Sequence, residues 1–346
     1  MNAKTLKPVL IIGGSGVVGA QGAHALRRLQ PDLPIAIAGR DLARAEAVAA
    51  QVGNATAVRV DLQRADLGLG EDARFSAVVL FVKDETSNSI KYAQRHGLPY
   101  VSTSSGSFEI APEVTRYLRR PGASPMLLAS HWLAGAATLP ALHFAQEFRR
   151  LDSIRIAALL DEQDMGGPAA AADYERLTSA AAAQILERGR WRWVRDAEAA
   201  SSFLSVDGVG IQAAAYSPMD VVSLAAATDA HSIRLDMALG ESASRRRGEA
   251  FSTEIAIELE GELHDGRQVR ARHELVHPQG QAPITAVGIA LGVERLLGLA
   301  GGEAVAPGLY TPDVLIDPVY QLRRLQEFGV SVQRKPDVEL SLPVAA

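Results

Sequence analysis

Residues Gly13-Gly14-Ser15-Gly16-Val17-Val18-Gly19 place glycines at the spacing G-x-G-x-x-G from Gly14 and at G-x-x-G-x-x-G from Gly13. The chemistry open to such a loop is anion binding by backbone. Glycines permit a tight turn and a close approach of main chain to a pyrophosphate, and the helix that follows aims its first N–H groups at the phosphates. The spacing has this meaning only between a buried strand and a helix. Residues 8–12, Pro-Val-Leu-Ile-Ile, read as the strand, and residues 18–29, rich in Ala, Leu and Arg, as the helix, which breaks at Gln30-Pro31 before a second strand at 34–38. The end of that second strand selects the cofactor, because a carboxylate there binds a ribose 2′-OH and repels a 2′-phosphate. This chain has Gly39-Arg40 instead, with Arg44 one helical turn on. Two guanidinium groups so placed suit a phosphate, and a preference for NADP(H) over NAD(H) is expected. Asp61 and Leu62, past a third strand, are placed to border the adenine, although an Asp there serves equally as a turn or cap residue. Phe81 and Val82, ending a strand at 77–82, are assigned to the same cofactor site.

Hydride chemistry at a nicotinamide also needs a proton donor and an anchor for substrate, and an open α/β sheet collects such groups at the carboxyl ends of its strands. Three places qualify. Lys83, followed by Asp84, leaves the strand at 77–82 and suits a proton donor or carboxylate anchor, or else a solvated turn. His131 follows a strand at 126–129 and precedes a helix expected from Leu133 to Phe148. It is suited to protonating a substrate nitrogen near neutral pH, with that helix N-terminus holding an anion and Trp132 lining an apolar pocket, or else to packing at a domain junction. Tyr100, with the hydroxyl run Ser102-Thr103-Ser104-Ser105, ends a further strand and offers hydrogen bonds to nicotinamide amide or substrate. Trp191 and Trp193 read as core or interface aromatics, and Arg245-Arg246-Arg247 as a solvated run. Asp161, Glu162 and Asp164 have no His close by, so no metal site is expected.

The elements that must position these groups alternate: strand, helix, strand through the first 130 residues, the pattern of a doubly wound parallel sheet of Rossmann type. Beyond Leu151 longer amphipathic strands take over, at 154–160, 232–239, 251–263 and 268–276, with helices at 169–186 and 218–227 between them. The expected organisation is a dinucleotide-binding α/β domain at 1–130, an α+β substrate or dimerisation domain with an open, mostly antiparallel sheet at 131–282, and a C-terminal helix and segment at 283–346 packing back on the first domain. The 346 residues are 47% apolar and 22% charged, near the globular average, which excludes disorder and fibrous repeats. With 35 basic against 40 acidic side chains there is no positive excess to attract nucleic acid or an anionic membrane. No cysteine is present, so disulfides, thiolate catalysis and sulfur-ligated metal are excluded. Lys4 and Lys7 before the apolar stretch 9–20 imitate a secretion signal, but the glycine pattern explains that stretch better, and a cytoplasmic location is expected.

Four stretches resemble the bacterial saccharopine-dehydrogenase-like oxidoreductases: the glycine loop 13–19, Ala38-Gly39-Arg40-Asp41-Leu42-Ala43-Arg44-Ala45, Arg95-His96-Gly97-Leu98-Pro99-Tyr100-Val101, and the tail Tyr310-Thr311-Pro312-Asp313-Val314-Leu315-Ile316-Asp317 leading to Leu325–Val330. The resemblance implies a Rossmann domain followed by an α/β domain whose sheet mediates homodimerisation, and hydride transfer to or from a C=N bond formed between an amine and an oxo acid or aldehyde. This chain departs from the family at Ser102-Thr103-Ser104-Ser105, where an aspartate is usual, and at Lys83-Asp84-Glu85, where a small proline-containing loop is usual. The reading that results is an NADP(H)-dependent oxidoreductase acting on a C=N or C=O bond of a small carboxylate-bearing substrate. A non-catalytic NADPH-binding sensor is the alternative. A short-chain-dehydrogenase-like ketoreductase is disfavoured, since no Tyr has a Lys four residues on.

Overall fold

A computed structural model describes residues 7–103, 106–164, 166–179 and 181–340. The chain divides into two compact units: the first runs through Ala134 and resumes over Thr285–Ile316, and the second holds Gly135–Ile284 and the residues from Asp317 on. The C-terminal segment is thus shared between them.

The first unit is a seven-stranded parallel sheet. Strand β1 (Val9–Ile12) is followed by α1 (Val17–Leu29), β2 (Ile35–Gly39), α2 (Leu42–Val52), β3 (Ala55–Arg59), β4 (Ala77–Leu80), α3 (Asn88–His96), β5 (Tyr100–Ser102), α4 (Ala111–Arg119) and β6 (Met126–Leu128). The spatial order is β3-β2-β1-β4-β5-β6, closed by the short strand Leu309–Tyr310 beside β6. β1 and β4 are apolar and buried at every position, as strands covered by helices on both faces must be. Ile11 lies in register with Ile37 on one side and Val79 on the other. The chain therefore winds outward in both directions from β1, and the point of reversal between β1 and β4 is where such sheets bind ligands.

The second unit is built on β7 (Phe148–Asp161), then α6 (Pro168–Ser179), β8 (Ala183–Glu187), β9 (Arg190–Val194), β10 (Ala200–Leu204), β11 (Gly210–Ala215), α7 (Asp220–Ala227), β12 (Ser232–Gly240), β13 (Thr253–Leu263) and β14 (Gln268–His277). Its ten-stranded sheet runs β10-β11-β12-β7-β13-β14, continued by Ser331–Arg334, with β8 and β9 branching from β12. The sheet is mostly antiparallel, but its centre is not: β7 and β12 are parallel over nine residue pairs from Ser153 and Ser232 to Asp161 and Gly240. Helix α5 (Thr138–Ala145) packs on β7 and β13, and α7 on β12. The hairpin β10–β11 is held from beneath by arginines: Arg234, Arg155 and Arg272 donate to the carbonyls of Ala199, Ser202 and Leu204.

Two helices differ from expectation for local reasons. A helix begun at Leu133 would carry Pro140 in its interior, where the ring displaces a carbonyl and removes a donor at about 3 kcal/mol. Instead Leu133, Ala134 and Gly135 turn left-handed, with φ of 48, 54 and 90°, and α5 starts at Thr138, so that Pro140 falls in its first turn. The helix expected at 169–186 stops at Ser179, and 183–187 becomes a strand because Arg188 and Gly189, with φ of 50 and 74°, close a two-residue hairpin to β9. Trp191 and Trp193 on that hairpin are 46% and 53% exposed, not core. Among the described residues no helix is long and apolar enough to cross a membrane, and no group of three or more potential ligands could hold a metal ion.

Candidate functional site

The glycine loop is a backbone cradle with no room for a side chain at Gly13 or Gly19. Gly13 has φ +81°, and a Cβ there would lie 2.8 Å from Val82 Cγ1, while a Cβ on Gly19 would lie 2.2 Å from the Gly13 carbonyl oxygen. Gly16 donates its N–H to that carbonyl at 3.0 Å and forms the N-cap of α1, where it offers no side-chain acceptor; the first turn carries no acidic residue. The N–H groups of this end, Val17 and Val18 among them, therefore suit an anion. Phe81 is buried behind the loop, with its ring against Gly22, and Val82 supports Gly13.

Arg40 directly follows β2 and is exposed. Asp41 caps α2 by accepting the Arg44 N–H at 3.1 Å, which brings Arg44 to the same corner, where its guanidinium donates to the Ser15 carbonyl at 3.4 Å. Arg59, which sequence reasoning passed over, lies in register with Gly39 at the end of β3. Three guanidinium groups thus belong to the carboxyl ends of β2 and β3. Asp61 folds back on its own turn, accepting the Gln63 N–H at 2.9 Å, and the Leu62 carbonyl accepts from Asn88 Nδ2 at 2.9 Å and lies 2.8 Å from Thr86 Oγ1. These two residues tie the β3 end to the β4–α3 loop.

That loop frames the second half of the site. A pocket of about 120 Å³ opens at the carboxyl ends of β4 and β5, lined by Lys83, Asp84, Glu85, Tyr100, Ser102 and Glu113 among others. It is smaller than a pocket for a whole ligand and suits one functional group. Asp84 organises it. Its Oδ1 accepts from the Thr86 N–H at 2.9 Å and Oγ1 at 2.6 Å, and its Oδ2 from the Ser89 N–H at 2.8 Å and Oγ at 2.6 Å. Ser89 Oγ also lies 3.1 Å from the Tyr100 hydroxyl. Tyr100 is 1% exposed, and burial, then the carboxylate of Glu113, raise its pKa well above 10. Lys83 Nζ sits 3.2 Å from Glu109 Oε2, which also accepts the Gly106 N–H at 3.0 Å. Lys83 and Tyr100 are thereby brought into one pocket. Glu109 and Glu113 are the members that sequence reasoning missed, and Ser104 and Ser105 of the hydroxyl run lie outside the described residues.

His131 is placed elsewhere. Its side chain is fully buried after β6, with Nε2 3.3 Å from Asp313 Oδ1 on the one-turn helix Pro312–Leu315. Burial pushes the Asp313 carboxyl up, but the bond and charge of His131 and the Thr311 hydroxyl outweigh it and hold the group below the ordinary range. No helix N-terminus follows His131 directly, because the chain is left-handed at 133–135. The imidazole joins the sheet edge to the returning C-terminal segment, and Asp313 of the tail motif is its partner.

No protein-family model matches the chain, and no curated protein does. Solved structures do. The apo, histidine-tagged, L-Glu-forming saccharopine dehydrogenase of Saccharomyces cerevisiae matches with a TM-score of 0.68 at 15% identity, over 95% of this chain and 100% of that one. An oxidoreductase of Agrobacterium radiobacter in complex with NAD+, L-tartaric acid and magnesium matches with a TM-score of 0.51 at 14% identity, over 92% of this chain and 95% of that one. At these identities the likeness is one of architecture. With the strand order of the first unit and the mixed sheet of the second, it shows that the chain has a saccharopine-dehydrogenase-like fold.

Proposed function

We propose that the protein is an NADP(H)-dependent oxidoreductase acting on a C=N or C=O bond of a small substrate held at the carboxyl ends of β4 and β5. The observation that carries the reading is the cradle: a glycine loop that admits no Cβ at Gly13 or Gly19, uncapped at α1, with Arg40 and Arg44 beside it. Those residues fit a dinucleotide that bears a 2′-phosphate. Bound there, NADPH supplies a hydride at its nicotinamide ring. The chain's part is to hold the phosphates by backbone and guanidinium groups and to present the pocket of Lys83 and Tyr100 to the substrate. Lys83 is the residue with protons to give, and Glu109 fixes its position. His131, buried on Asp313, acts as a positioning residue. The same reading takes the protein to be cytoplasmic and homodimeric, and gives the C=N bond precedence because the neighbour with the higher TM-score is a saccharopine dehydrogenase.

The test is cofactor oxidation followed by nicotinamide absorbance, with 2-oxo acids and aldehydes presented with and without amines. Amine-dependent NADPH oxidation that exceeds NADH oxidation is expected. Tight NADPH binding with no turnover across the matrix would select the non-catalytic sensor instead.

A further inference from the structure

Resting on the reading of the β4–β5 pocket as the substrate site, we propose that this pocket binds a cationic nitrogen of the substrate, an ammonium or guanidinium group, through acceptors on Tyr100, Ser102 and Glu113. It follows from the direction of the hydrogen bonds. Ser89 Oγ donates its one proton to Asp84 Oδ2 at 2.6 Å, so in its 3.1 Å contact with the Tyr100 hydroxyl the tyrosine is the donor. The phenol proton is thereby committed to the Tyr100–Ser89–Asp84 chain, and the Tyr100 oxygen, in a residue that lines the pocket, is left as an acceptor. The high pKa of the phenol keeps that proton in place.

Ser102 is the second, separate observation. It is 2% exposed, its Oγ has no hydrogen-bonding partner among the described residues, and it lines the same pocket. A buried hydroxyl left unpaired is destabilising, and a ligand that hydrogen-bonds to it removes that penalty. The charged residues around it are mostly acidic. Asp84, Glu85, Glu109 and Glu113 line the pocket against the single ammonium of Lys83, which Glu109 holds at 3.2 Å. A carboxylate entering here would meet four like charges, with its only cationic partner already engaged. An ammonium instead finds a lone pair, a hydroxyl and carboxylates, the donor-to-acceptor match that burial of charge demands. Any carboxylate of the substrate is therefore bound elsewhere, and Lys83 is not its anchor.

The experiment uses the full chain and three four-carbon probes at fixed ionic strength: 1,4-diaminobutane, 1,4-butanediol and succinate. Binding is followed by calorimetry with and without saturating NADPH. Saturable binding of the diamine alone is expected, weakened about tenfold or more by Glu113→Gln, with Glu85→Gln at the exposed rim as a second variant. Binding of succinate in preference to the diamine, or diamine binding indifferent to both variants, overturns the proposal. NADPH titration of the same samples separates the two readings. Absent cofactor binding refutes the oxidoreductase assignment, whereas intact cofactor binding with no diamine binding overturns the cationic subsite alone.

Discussion

Replacing Arg40 with alanine tests the cofactor assignment at the point where the structure makes it quantitative. Arg40 is exposed at the end of β2, and the neighbouring Arg44 donates to the Ser15 carbonyl of the glycine loop at 3.4 Å. A charge-assisted hydrogen bond contributes about 1.5–3 kcal/mol, which at 1.4 kcal/mol per decade is about 10- to 150-fold in Kd. Because the site faces solvent, the lower end applies, and roughly tenfold weakening of NADPH binding is expected at about 0.1 M salt, shrinking as the Debye length falls toward ~3 Å at 1 M. NADH, which has no 2′-phosphate, should be unaffected. Arg44→Ala should behave differently, since its guanidinium also braces the loop: it should weaken both cofactors, and NADPH more. Fluorescence titration of each variant with both cofactors at two salt concentrations is the assay. Equal loss for NADPH and NADH in Arg40→Ala, or an NADPH loss that salt does not reduce, would refute the phosphate-clasp argument.

Tyr100→Phe removes the donor to Ser89 but no proton that faces the pocket, so it should cost about 1 kcal/mol of stability and change kcat less than about tenfold; a general acid would show a drop of about 10²- to 10⁴-fold. His131→Asn should lower the melting temperature, because it breaks a fully buried contact with Asp313, while the folded fraction keeps kcat within about tenfold. A kcat collapse at unchanged melting temperature would restore His131 as a proton donor. His273 is buried and stacked on Phe144 at 3.7 Å, and burial, then the charge of Arg334, lower its pKa from 6.5 to about 4. The unfolded chain binds this proton below pH 6.5 and the folded chain only near pH 4, so stability falls as pH falls through that window, by roughly 3 kcal/mol in all. Urea unfolding at pH 7, 5.5 and 4 should show this slope in the native protein and a shallower one in His273→Leu; parallel slopes would count against a neutral buried imidazole.

The parts of the molecule legible from sequence are those whose cause is local. The glycine loop is one, because a turn with φ of +81° at Gly13 and a 2.2 Å approach at Gly19 can be met only by glycine, and the demand is written at fixed spacing between a buried strand and a helix. The left-handed residues Leu133 and Ala134 carry no such mark, and alanine-rich flanks argued for helix where the proline decided otherwise. Helix α4 was passed over although its nine residues are amphipathic and Tyr117 packs against the core, because none of them is fully buried. That omission had a chemical consequence. Lys83 stands in the sequence directly after a strand and reads as a positive site, whereas Glu113, and Glu109 just before α4, reach it only through the fold. The sign of the pocket is therefore a tertiary property. So is the polarity of Tyr100: its residue type permits donor or acceptor, and only the prior commitment of the Ser89 proton to Asp84 selects between them. A chain of single-proton donors that ends on a carboxylate fixes the direction of every bond in it. Here that direction leaves the Tyr100 oxygen as an acceptor beside the pocket.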